Sequence, residues 1–422
     1  MGLSSSLYTA TSGLQSNAQA MTVTGNNIAN SNTVGYKSSS TIFSDLLAEN
    51  IASSSGNSQV GRGTQVQTVQ TSFTQGGFEA TGNSTDVAIE GDGFFTVSPA
   101  SSDTMYYTRN GSFTFDADGY LVTADGYRVQ GTPYNDDGEL VEGTIGDIQL
   151  DLVAQVEAKQ TENVTLQSNL DASAEEPGAF DIADPTGTSN YSTTIVIYDS
   201  LGTSHNATCY YTKTADLTWE YNITVDSDDL DAAQADAAND ETLVCNGVLT
   251  FDDDGILIAG AEGVTDALQW NNGADAGQTL TYNFETTQFD SSSTVFAQDQ
   301  DGYASGEVSD VSIESDGTVN VLYSNGEIIP AGILSLAAFA NPDGLDQAGS
   351  SLYLATSESG TPTVGYPGES LGSLVSQSLE LSNVDLSTEF VDLITIQNGY
   401  SANSRVITTV DEMLQELLSM TR

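Results

Sequence analysis

The sequence predicts a mainly β protein with α-helical ends, in which an N-terminal and a C-terminal helix each pair along an apolar seam. Three observations lead there: seams of helical spacing at both ends, short alternating runs closed by Asp-Gly or Asn-Gly between them, and a charge distribution that divides the chain at the same places. The 422 residues carry 59 acidic and 8 basic side chains, a formal net charge of −51. Residues 1–78 contain Lys37, Arg62, Asp45 and Glu49 and are neutral, 79–369 hold 50 acids against 4 bases, and 371–422 sum to −5. Such a partition points either to a solvated middle with sheltered ends or to Ser/Thr/Asn-rich ends that are simply flexible.

The first element is a helix. Leu3, Leu7, Ala10, Leu14, Asn17, Met21, Thr24 and Ile28 alternate by four and three residues, the spacing of a coiled-coil seam. At the other end Leu386, Glu389, Leu393, Ile396, Tyr400, Asn403, Ile407, Val410, Leu414 and Leu417 follow the same rule. Leu3, Leu7, Leu14, Met21, Ile28, Leu386, Leu393, Ile396, Tyr400, Ile407, Val410, Leu414 and Leu417 are the candidate interface residues. Asn17 and Asn403 interrupt the seams; a polar residue there costs stability and fixes register. One amphipathic helix is marginal alone, so the two ends pair with each other or with other copies of the chain.

Between the ends, 40 glycines, 8 prolines and alternating runs indicate strands and tight turns. Phe113–Phe115 runs into Asp116-Ala117-Asp118-Gly119, and Leu249–Phe251 into Asp252-Asp253-Asp254-Gly255, so one hairpin is used twice. Ala207–Lys213 and Trp219–Val225 make a second kind of hairpin, Thr318–Tyr323 ends at Ser324-Asn325-Gly326, and Asp226–Glu241 reads as a surface excursion. The Asp-x-Asp-Gly turns at 116–119, 252–255 and 299–302 resemble fragments of calcium loops. Their twelfth positions are Tyr127, Gly263 and Asp310 rather than glutamate, which favours ordinary turns.

The same inventory excludes several function classes. Eight basic residues against 59 acids argue against nucleic acid or an anionic membrane as partner. No apolar run is long enough to cross a bilayer, and the first residues lack the pattern of a cleaved secretory signal. Phosphate-loop, dinucleotide and serine-hydrolase motifs are missing, and 59 acids offer carboxylate pairs at every spacing, so none is informative. The one histidine, His205, sits in a turn-like stretch and is expected at the surface; Cys209 and Cys245 fall in strands, as a disulfide or as two buried thiols. No catalytic residue, metal or cofactor is assigned.

Asn26-Asn27-Ile28-Ala29-Asn30, followed by Asn32, Thr33, Gly35, Tyr36 and Lys37, resembles the N-terminal signature of the bacterial flagellar rod and hook axial proteins. Ser382-Asn383-Val384-Asp385-Leu386, with Gln397, Tyr400, Asn403 and Ser404, is similar to its C-terminal counterpart. Gly91-Asp92-Gly93-Phe94-Phe95, Thr108-Arg109-x-Gly111-x-Phe113 and Phe339-Ala340-Asn341-Pro342 resemble the first outer domain of the same family. The resemblance implies a coiled-coil-like tube domain from 1–35 with 380–422, a connector at 36–75, a first β domain from 76–160 with 293–379, and an inserted outer β domain at 161–292. It also implies a structural homopolymer: the subunit of the curved, flexible joint that carries torque from rod to filament and encloses the export channel. Rod, cap and joint–filament junction proteins would be its partners, outside the cell, reached without a cleaved signal. A distal rod subunit is the alternative within the family, and an acidic β-rich adhesin the alternative outside it. Two features depart from the family pattern: the strong acidity, which suits a salty medium, and Asn398-Gly399, where a mid-helix glycine is expected to bend the last helix or make it lean on neighbours.

Overall fold

The computed structural model describes residues 2–53, 56–102, 104–135, 140–141, 143, 145–150, 155–368 and 371–420, with the backbone alone for 2–3, 49–53 and 56–60. Helices occupy the two ends, α1 (Gly2–Ala29) and α2 (Leu386–Met420), and strands fill the interval between them. The chain divides into two units: Met1–Leu152 with Asp310–Val321 and Ile329–Arg422, and Val153–Ser309 with Leu322–Ile328.

In the first unit α1 and α2 pack together, and α1 also lies on the antiparallel pair Ser39–Asp45 and Thr64–Thr71. The β part is organised around Phe94–Pro99, whose residues are buried on both faces as far as Ser98. Tyr127–Pro133, Tyr106–Thr108 and Leu336–Ala338 all pair with it antiparallel. Phe94, Tyr107, Ala337, Phe339 and Tyr353 form an aromatic core under this strand. Its rings meet edge to face, as Tyr107 and Phe339 do at 4.8 Å and 86°, the arrangement the ring quadrupole favours. Two short ladders tie the incoming chain to the outgoing one: Phe78–Ala80 with Ser378–Glu380, and Val87–Glu90 with Ser373–Ser376.

The second unit is a β-sandwich. One sheet is antiparallel in the order Tyr191–Tyr198, Ser204–Ala215, Thr218–Asp226, Glu241–Phe251, Leu257–Ala259. The other has the order Glu262–Val264, Thr281–Phe289, Asn163–Asp171, Thr294–Gln300, with Asn163–Asp171 and Thr281–Phe289 parallel. Buried residues alternate along Thr281–Phe289, so one face of the strand enters the core. Trp219, Tyr211, Tyr282 and Leu166 are among its fully buried side chains. The hairpin of Ser204–Ala215 with Thr218–Asp226 is the one the alternating pattern indicates, and Ser227–Asp229 is a single 3₁₀ turn inside the acidic excursion.

In the repeated hairpin the leading aspartate closes its own turn. Asp116 Oδ1 accepts hydrogen bonds from the amides of Asp118 and Tyr120, and Asp252 Oδ1 accepts from Asp254 and Ile256, in both cases at 3.0 and 2.8 Å. The glycine that follows has φ of 80° at Gly119 and 78° at Gly255, a backbone region closed to most side chains. Asp301 caps a different feature, accepting from the amides of Glu162 and Asn163.

His205 corrects its sequence expectation: it is 4% exposed, not a surface residue. Its ring stacks on Trp270 at 3.8 Å, with Nδ1 2.9 Å from Asp229 and Nε2 3.1 Å from Asp199. Cys209 and Cys245 are free, buried thiols. Both pair across the sheet with Ile223, one on each side, which puts them two strand spacings apart. That is roughly 9.6 Å between Cα atoms, against a limit near 7 Å for a disulfide.

Candidate assembly interface

α1 contains no charged residue. Its hydroxyls bond back to the helix, as Thr9 does to the Ser5 carbonyl and Thr22 to that of Ala18, so a polar sequence stays helical. α2 starts at a true cap: Asp385 Oδ1 accepts from the amides of Ser387 and Thr388 at 2.8 and 3.4 Å. These bonds hold the Asp385 carboxyl below its usual range.

The two helices run antiparallel. Asn27 donates to Glu389 Oε1 at 2.8 Å, while Asn17 lies against Gly399 and Asn403 against Gly13 farther along. On α1 the fully buried positions are Ala10, Gly13, Ser16, Ala20, Thr24 and Asn27. The larger seam residues flank that stripe: Leu14, Met21 and Ile28 are half-buried and Leu7 is exposed, while the Leu3 side chain lies outside the described residues. Small residues let the helices approach closely, which a leucine-based reading of the seam does not anticipate. On α2, Leu393, Ile396 and Ile407 are half-buried and Val410 is buried, whereas Leu386, Tyr400, Leu414 and Leu417 are exposed. Gly399 rather than Tyr400 faces α1 at mid-helix. Gly399 therefore marks a contact, while Asn398 is exposed.

The signature residues assemble at the base of the helix pair. Asn27 accepts from the Ser39 amide and from the Tyr36 hydroxyl, and Asn26 donates to that hydroxyl. Asn30 bonds back to Asn26, and Thr33 donates to Asn30, closing the turn after α1. Asn383 accepts from the Ser38 amide at 2.8 Å and donates to the carbonyls of Ser72 and Thr74, so one amide staples three passes of chain. Asn32, Gln397 and Ser404 are exposed.

Beneath this lies a buried ion cluster that sequence reasoning missed. Lys37 Nζ is 2.6 Å from Glu380 Oε1, and both side chains are inaccessible to solvent. Arg109 lies 3.4 Å from Glu380 Oε2 and donates to the Gly91 carbonyl at 2.9 Å. Lys37 also donates to the Thr74 carbonyl, and the Gly76 amide to Glu380. Burial pushes the Lys37 and Arg109 pKa values down, and Glu380 opposes this for both. Gly35 is required above them: with φ of 66°, a Cβ would come within 2.7 Å of the Arg109 backbone. Lys37 and Arg109 stood in recognised motifs, but Glu380 had no motif to flag it.

Residues 7–37 match the flagella basal body rod protein family, 88–169 the hook protein FlgE/F/G D1 domain, 169–303 the basal body protein FlaE D2 domain, and 375–420 the FlgEFG C-terminal region. The flagellar hook protein FlgE of Borreliella burgdorferi is 34% identical over 98% of this chain and 99% of its own. Those of Salmonella typhimurium and Escherichia coli are 34% and 32% identical, each over 97% of this chain and 98% of theirs. The fold resembles that of Helicobacter pylori flagellar hook protein FlgE2, with TM-score 0.50 and 17% identity, over 70% of this chain and 98% of that one. The chain belongs to the flagellar hook protein FlgE family, and its role is that of a structural hook subunit, not an enzyme.

Proposed function

We propose that this chain polymerises with copies of itself into a curved, flexible tube outside the cell, joining rod to filament and carrying torque between them. In this reading 1–35 with 380–422 form the inner tube around an export channel, 36–75 connect it outward, and 76–160 with 293–379 and the insertion 161–292 form the outer β domains. Rod, cap and hook–filament junction proteins are the other partners. The observation that carries the proposal is the outer face of α2. Among its described residues only Val410 is buried, while Phe390, Ile394, Met413, Leu417 and Leu418 are at least 49% exposed. A helix with this much bare apolar surface requires a partner. Leu7, Leu386, Tyr400 and Leu414 are likewise exposed, and Leu14, Met21, Ile28, Leu393, Ile396 and Ile407 are half-buried. Electron microscopy of the purified protein after polymerisation tests the reading: curved tubes support it, straight rods favour a distal rod subunit, and persistent monomers overturn it.

A further inference from the structure

Gly13 and Asn17 are one turn apart on α1, and Gly399 and Asn403 one turn apart on α2. Each asparagine donates to the carbonyl of the glycine on its own helix, at 2.7 Å for Asn17 and 2.9 Å for Asn403. That bond swings each side chain across the opposite helix's glycine. A Cβ on Gly399 would meet Asn17 Oδ1 at 3.0 Å, and one on Gly13 would meet three Asn403 side-chain atoms at 2.8–2.9 Å. The contact is reciprocal: each helix offers one knob and one notch, and the antiparallel direction brings both into place together.

We propose that this pair of asparagine–glycine contacts is a lock that sets the axial register of α1 against α2. The apolar positions repeat every three or four residues, so sliding α2 by seven residues still opposes apolar to apolar and moves it by about 10 Å. The lock does not repeat. Gly13, Gly25 and Gly399 are the glycines inside the two helices, and one offset alone seats both Asn17 and Asn403 over glycines. The choice of glycine is informative, because in a helix interior it is disfavoured against alanine by roughly fivefold in equilibrium. Gly25, with nothing within 4 Å of its ideal Cβ, supplies the internal reference.

The inference rests on the pairing of α1 with α2 and not on polymer formation, so it is tested on the full-length monomer. Amide exchange in the helices should slow in Gly25→Ala by roughly fivefold, as intrinsic propensity dictates. Gly399→Ala should speed exchange severalfold, and adding Asn17→Ala should restore it, since the collision is then relieved. Spin labels at Tyr8→Cys and Met413→Cys report the offset; the native cysteines are buried. Asn17→Ala with Asn403→Ala should add a second distance population displaced by about 10 Å. If Gly399→Ala protects as Gly25→Ala does, or the double asparagine variant keeps one distance, the lock is overturned. A lock that holds in a chain that never polymerises would refute the hook reading and leave this one standing.

Discussion

Glu380 is the residue on which the base of the helix pair depends. Its carboxylate bridges Lys37 and Arg109 in a place closed to water, and Asp92 adds to the field that favours the Arg109 charge. Glu380→Gln takes away the carboxylate that both buried cations pair with, and removing one partner of a buried pair costs about 3–5 kcal/mol. Lys37→Met should cost less, because Arg109 keeps its carboxylate. Urea unfolding of the full chain should rank the two variants in that order, and equal losses would mean that the cluster acts by packing alone. Asp385 gives a pH handle on the first turn of α2. Its carboxyl is lowered from 3.8 in the helix by the Ser387 and Thr388 amides, so the frayed state takes up its proton first. The cap's contribution is therefore complete above about pH 4 and falls as pH drops through the lowered value. Glu389 runs the other way, raised chiefly by burial, and favours the helix slightly as it protonates. Protection factors of the Ser387 and Thr388 amides, which remove the intrinsic pH dependence of exchange, should fall below pH 4 in the native chain, and in Asp385→Asn that fall should vanish, leaving only the small opposite effect of Glu389.

At the level of elements, α2 divides at Val410. Residues 386–410 lean on α1, whereas 411–420 are exposed throughout. Exchange over 411–420 should be fast in the monomer and strongly slowed in the polymer, with 393–407 protected in both. Uniform protection of α2 in dilute monomer would remove the main reason for a neighbouring copy. Both helices and the principal hairpins were legible because their periodicities, near 3.5 and 2, are local properties. The small-residue stripe of α1 was not, since an alanine or serine is a contact only when the partner comes close enough to use it. Lys37, Glu380 and Arg109 meet across more than 340 residues of sequence, a distance over which no pattern rule operates. His205 was misjudged for the same reason: Trp270 and Asp229, which enclose it, come from separate loops.

Over the whole molecule, charge balance should govern assembly. Four of the eight basic residues are spent inside the fold: Lys37 and Arg109 on Glu380, Arg128 on Asp147, and Lys213 on the carbonyls of Ala172 and Ala174. Arg62, Lys159 and Arg405 are exposed, facing a surface supplied by most of 59 acids. In the proposed polymer the acidic surfaces of neighbouring copies would repel, over a range that shortens to ~8 Å at 0.15 M salt. Polymerisation followed by light scattering should strengthen with ionic strength, and low salt should expose 161–292 to protease before α1 and α2 separate. Polymers that dissolve as salt rises would show that ion pairs between copies outweigh net repulsion.

The placement of Cys209 and Cys245 on either side of Ile223 has a kinetic consequence. In the native sheet neither thiol reaches the other, and burial lifts the Cys209 thiol to about 12, so almost no thiolate is available to oxidants. An unfolded chain has no such protection, and its two cysteines, 36 positions apart, can join in an oxidising medium. Once joined, they cannot admit the strand Thr218–Asp226 between them, and the five-stranded sheet cannot close. Folding and oxidation are thus competing, mutually exclusive fates: a subunit that folds first is resistant to further thiol chemistry, and one that is oxidised first is lost to the polymer.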